Sequence, residues 1–149
     1  MTSIWKNPFT LHDLQKRCES TLASHLGMVF TEIGKDFLVA EMPIESYHLQ
    51  PDRILHGGAS AAFAETIASV AANCAVNLKT HSCVGLDLNI NHVRAARSGK
   101  LIAKTFPYHI GRSTHVWSIE IHDNKGKLIA IARLTVAVLE LKIDQSHKV

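Results

Sequence analysis

The run Gln50-Pro51-Asp52-Arg53-Ile54-Leu55-His56-Gly57-Gly58, with Glu65 and Ser69 further on, holds the residue types best suited to acyl chemistry. Paired glycines where a loop enters a helix leave backbone N–H groups exposed at the positive end of the helix dipole, a natural place to stabilise an oxyanion. Glu65, Ser69, Asn73 and Asn77 fall four apart, so on a helix they share one face. A carboxylate on that face can act as a nucleophile or as a general base on water. The same spacing also describes the solvent-facing edge of an amphipathic helix, because glutamate is rarely buried without a partner. His56 alone reads equally well as a hydrogen-bonded loop residue. Spacing nominates a site here and does not decide it.

The elements that must position these residues are legible from composition. Gly58 to about Leu78 is rich in alanine, free of proline and poor in β-branched residues, which predicts a helix. Its small side chains would let a sheet approach closely. Upstream, Thr10 and Asp13 suggest a capping box for a short helix from Leu11 to about Leu22. GMVFTEIG and DFLVAEMPI then form two β-prone runs around Gly34-Lys35-Asp36, a hairpin pattern. The segment with Pro51 and the glycine pair reads as a loop. Four strand-like runs follow the long helix: Ser82–Val93, Leu101–Tyr108, His115–His122 and Leu128–Leu141. Ser98-Gly99 and Asn124-Lys125-Gly126 supply turns, so these strands are expected to form an antiparallel meander. His115, Trp117, Ile119 and Ile121 alternate cleanly with Val116, Ser118, Glu120 and His122. The result is an α+β class, one domain over residues 1–149, with a sheet wrapped around one long helix.

Composition narrows the function. A chain of 149 residues with 46% hydrophobic and 19% charged residues suits one soluble globular domain. The net charge of +3 is too mild to argue for nucleic acid. Cys18, Cys74 and Cys83 lack CxxC spacing, which points to a reducing, cytoplasmic setting. The first residues lack the apolar core of a signal peptide, and no apolar run suits a membrane span. Between Leu88 and Ile119 there is no acidic residue, while Arg94, Arg97, Lys100, Lys104 and Arg112 all fall there. Folded into one patch, these would suit a nucleotide phosphate; left apart, they are a solvated face. Val84, Leu86, Leu88 and Ile90 share a strand parity that leads to His92 and Arg94. An arginine at that end either borders a groove or snorkels to water.

LHGGASAAFAETIAS resembles the active-site segment of the hotdog-fold thioesterases related to the phenylacetate-pathway and 4-hydroxybenzoyl-CoA enzymes. The match lies at Gln50, His56, Gly57, Gly58, Glu65 and Ser69. GLDLNINHVRAARSG and YHIGRSTHVWSIEI extend the likeness over nearly the whole chain, nearest to the branch acting on 1,4-dihydroxy-2-naphthoyl-CoA in menaquinone biosynthesis. The resemblance implies acyl-CoA hydrolysis without a cofactor. Glu65 would be nucleophile or general base, the Gly57 N–H would polarise the carbonyl, His56 and Gln50 would hold the reacting groups, and Ser69 would support them. It also implies that Gly85, His92, Arg94, His109, Gly111, Arg112 and Ser113 grip coenzyme A. A homodimer or dimer of dimers follows, with each site between two subunits.

Other readings fit less of the chain. A hotdog dehydratase would use a catalytic histidine and an acid in a different motif. A non-catalytic acyl-CoA-binding module would keep the groove without needing Glu65. The ten histidines raise the thought of a metal hydrolase, but HExxH and any Cys/His pair at ligand spacing are missing.

Overall fold

The long helix expected from the alanine-rich segment, α3, runs over Gly57–Cys74 in a computed structural model that describes residues 3–141. It buries Ser60, Phe63, Ala64, Ile67, Ala68, Ala71, Ala72 and Cys74, a stripe recurring every three or four residues. That stripe packs on strands β2 to β6 of one six-stranded antiparallel sheet. The strands are β1 (Val29–Ile33), β2 (Leu38–Pro43), β3 (His81–His92), β4 (Lys100–Ile110), β5 (Thr114–Asp123) and β6 (Leu128–Glu140). Trp117, Ile119 and Ile121 of β5 lie fully buried beneath the helix, and His115 joins them, as the alternation predicts. Alanine dominates the helix face because larger side chains would lift it off the sheet.

Several boundaries differ from the sequence reading for local reasons. The first helix stops at Arg17 rather than near Leu22, since Ser20 takes a left-handed φ of 58°. A second helix, α2 (Leu22–His25), starts afresh, with Ser24 Oγ accepting the Thr21 N–H at 3.2 Å. The Thr10–Asp13 capping box of α1 (Leu11–Arg17) is present. The long helix begins one residue early, at Gly57, and ends at Cys74 instead of Leu78. There Asn77 accepts the N–H groups of Thr80 and His81 in a turn.

The larger correction concerns topology. The strand order is β1-β2-β4-β5-β6-β3, so β4, β5 and β6 form the meander while β3 lies at the far edge against β6. Ser98-Gly99 is a turn, with Gly99 at φ 90°, but it does not join a hairpin of β3 and β4. The chain instead crosses the sheet end through Val93–Gly99. There the Leu55 N–H donates to the Ala96 carbonyl at 2.7 Å, stitching this crossing to the loop before α3. The β3 parity also breaks: a bulge between Gly85 and Asp87 leaves Val84 and Leu86 exposed, while Leu88 and Ile90 pack against the core. No helix among the described residues is long and apolar enough to cross a membrane.

Candidate active site

The loop Glu45–His56 delivers the glycine pair to the start of α3. Its backbone is pinned by the His56 N–H, which donates to the His48 carbonyl at 2.8 Å. The His56 ring caps the helix: Nδ1 accepts the Gly58 N–H at 2.7 Å, so the proton of the neutral ring sits on Nε2, free to donate outward. A β-carbon at Gly58 would lie 2.9 Å from that Nδ1, which accounts for the second glycine. Gly57 is the first helical residue, and its N–H has no acceptor among the described residues. It is the unpaired donor at the positive end of an 18-residue helix.

Gly57 also forms one wall of a cleft of about 380 Å³ whose lining includes Gln50, Ser60, His92 and Arg94. The His92 ring packs directly over Gly57; a β-carbon there would come 3.0 Å from Nε2. Arg94 is exposed, and its Nε donates to the Leu128 carbonyl at 3.3 Å.

Glu65 stands two turns further along α3, half-buried. Burial pushes its pKa above the ordinary glutamate value, and the neighbouring Ser69 side chain partly offsets the rise. Gly85 of β3 faces this carboxylate so closely that a β-carbon would collide with Oε1. Glu65, Ser69 and Gly85 thus make a second cluster. Gly57 and Glu65 are eight residues apart on one helix, about 12 Å along its axis.

The remaining site candidates divide between the ends of the helix. Gly111 and Arg112, in the β4–β5 turn with Ser113, border a hollow shared with Val76, Asn77 and His115 at the C-terminal end of α3, whereas His109 belongs to the end of β4 and not to a turn. His92 and Arg94 lie at the N-terminal end, about 27 Å away along the helix. The basic residues of the acid-free stretch therefore do not form one patch. Lys100 pairs with Glu41 at 2.7 Å, and Lys104 sits over the Phe37 ring at 3.8 Å. Arg94 and Arg97 instead gather with Lys125 and Lys127 around a polar hollow whose one acidic neighbour is Asp123. The two lysines belong to the β5–β6 turn. Sequence reading places Lys125 in a turn and gives Lys127 no role, since nothing local indicates that the β3–β4 crossing passes beside them.

Comparison with known proteins gives the family of this fold. A family model described as the thioesterase superfamily matches residues 53–130. The 1,4-dihydroxy-2-naphthoyl-CoA hydrolase of Escherichia coli is 43% identical over 136 residues, 91% of this chain and 99% of the relative. Among solved structures, a thioesterase from Haemophilus influenzae superposes with a TM-score of 0.91 at 40% identity, covering 97% of this chain and 99% of its own. A Pseudomonas aeruginosa thioesterase, crystallised as a glutamine-to-alanine variant, gives 0.91 at 39% identity over 93% and 100%. A hotdog sheet around one long helix is the fold of these thioesterases. The chain belongs to the thioesterase superfamily.

Proposed function

We propose that this protein hydrolyses acyl-CoA thioesters, aromatic ones such as 1,4-dihydroxy-2-naphthoyl-CoA foremost, at sites shared by two copies of the chain. The observation that carries this reading is the half-buried Glu65 carboxylate held between Ser69 and Gly85, on the same helix as an unpaired Gly57 N–H but out of its reach. β3 is an edge strand that runs opposite to α3, with Gly85 beside Glu65 and His92 beside Gly57. A second copy adding antiparallel along this edge sets its own His92 and Gly57 across from Gly85 and Glu65 when the two-fold axis passes at Asn89, the bulge after Gly85 taking up the extra residue. The same pairing brings the partner's His92 and Arg94 towards Arg112 and Ser113, and it covers a long edge that would otherwise invite aggregation.

In that setting the thioester oxygen accepts the Gly57 N–H and the Nε2–H of His56, with Gln50 lining the approach. Glu65 then follows one of two routes. It attacks the carbonyl carbon, releasing the CoA thiolate and leaving a mixed anhydride for water to open; or it takes a proton from water as that water attacks. Both end in a free acid and CoA. A thiolate leaves readily, so the protein's main task is to polarise the carbonyl and supply the base; no cofactor is required. Three free, buried cysteines support a cytoplasmic setting.

The test is release of free thiol from a panel of aromatic and straight-chain acyl-CoAs. Turnover fastest on the aromatic esters supports the substrate class; tight binding of every ester without turnover would replace it with a binding module. Arg94 faces the phosphate end in this reading. Arg94→Ala is expected to raise KM about fivefold at low salt and to flatten its salt dependence, with kcat little changed. An unchanged KM at low and high salt would remove Arg94 from the CoA site.

A further inference from the structure

Asn73 is the third member of the polar stripe that starts with Glu65 and Ser69, and the hydrolysis as described leaves it without a task. Its amide makes three hydrogen bonds. Nδ2 donates to the carbonyls of Ser69 at 2.9 Å and Cys83 at 3.1 Å, and Oδ1 accepts the Cys83 N–H at 3.0 Å. Cys83 stands opposite Val138 in the β3–β6 ladder, yet Val138 turns its N–H the other way, to the Ser113 carbonyl at 2.9 Å. In an antiparallel ladder such a pair exchanges no bonds with each other. Both backbone groups of Cys83 therefore point at the open edge of the sheet. The Asn73 amide meets them with one donor and one acceptor, as the peptide of a neighbouring strand would.

Two residues further on is Gly85, in contact with the Glu65 carboxylate, and the β-bulge follows at once. The ladder to β6 is irregular at just the point where the strand's height above the helix matters most. The clamp at Cys83 supplies a fixed point that the edge strand otherwise lacks.

We propose that Asn73 is a positioning residue for the hydrolysis: by tying Cys83 to α3 it fixes Gly85 against Glu65, and it closes the β3 edge just short of the Gly85–His92 segment that a second copy uses. This rests on the reading of Glu65 as the reacting carboxylate. Its neighbour Ser69 is held in the same action, because one of the three bonds falls on the Ser69 carbonyl.

The experiment compares Asn73→Leu, which keeps the volume and loses every bond, with Asn73→Ser, which is smaller and carries the test where leucine prevents folding. Ile121→Val, in the core of β5, controls for loss of stability away from the site. The expected result is a fall in kcat of about 10- to 100-fold in the Asn73 variants, with KM within about twofold. The acid limb of the pH profile should also move towards the ordinary glutamate range as water reaches Glu65. The control should show neither change. Unaltered kcat, or a loss no larger than in the control with the acid limb unmoved, would overturn the positioning role. Full turnover by Glu65→Gln would instead overturn the reading of Glu65 and the role of Asn73 with it; an inactive Glu65→Gln beside fully active Asn73 variants removes only the latter.

Discussion

Glu65→Gln is expected to lower kcat for acyl-CoA hydrolysis at least about 1000-fold, because the amide can neither attack the carbonyl nor take a proton from water. The shape of the side chain is kept, so its packing against Gly85 and Ser69 persists and the fold should be retained. Stability gives a second readout. Burial favours the protonated form of Glu65, so the native state holds that proton more tightly than the unfolded chain does. The resulting contribution to stability is complete below the ordinary glutamate range and is lost as pH rises through the raised native pKa. The glutamine variant has no such loss, so its thermal midpoint should exceed that of the wild type at neutral pH, the gap opening over that interval and then staying level. Activity runs the opposite way with pH. In the proposed mechanism the reacting form is the carboxylate, so wild-type kcat should fall on acidification through a pKa above that of free glutamate. Wild-type turnover in Glu65→Gln, measured by thiol release, would remove Glu65 from the chemistry.

Gly57→Pro is expected to lower kcat about 100- to 1000-fold with a native fold, the loss typical of removing one oxyanion donor. Proline suits this position for specific reasons. Gly57 is the first helical residue, where proline is favoured because its missing N–H has no helical acceptor. The preceding His56 already has extended backbone angles, φ −67° and ψ 130°, which a following proline requires. The ring must displace the His92 imidazole, the end of a side chain that can turn away. What is lost is therefore chiefly the donor. Circular dichroism and thermal midpoint check the fold, and thiol release checks the rate. Unimpaired kcat would mean that the carbonyl is polarised elsewhere.

Much of this site is written locally. Alanine content and spacing give α3, and the same segment carries His56, Gly57, Glu65 and Ser69 on that helix and its cap. The β5 alternation is equally direct, since Trp117, Ile119 and Ile121 need only the identity of their neighbours. The position of β3 is another matter. Ser98-Gly99 has the chemistry of a hairpin turn, but which strands pair is decided by where whole faces find burial, and β3 finds it against β6. Everything that depends on that edge is hidden from the sequence as well: the bulge that exposes Leu86, the approach of Gly85 to Glu65, the gathering of Lys125 and Lys127 beside Arg94, and the clamp of Asn73 on Cys83. A polar residue four places after Ser69 looks like solvent-facing stripe until the strand beside it is known.

The claim at the centre of this account is that Glu65 of one chain works with the Gly57 N–H of another. Co-expression of Glu65→Gln chains with Gly57→Pro chains under separate affinity tags tests it directly. In a mixed dimer one site receives both faults and the other receives neither, so randomly paired dimers should recover about a quarter of wild-type activity from two inactive parents, and purified mixed dimers about half. Mixed dimers as inactive as their parents would contradict the account, because each chain would then need its own Glu65 and its own Gly57.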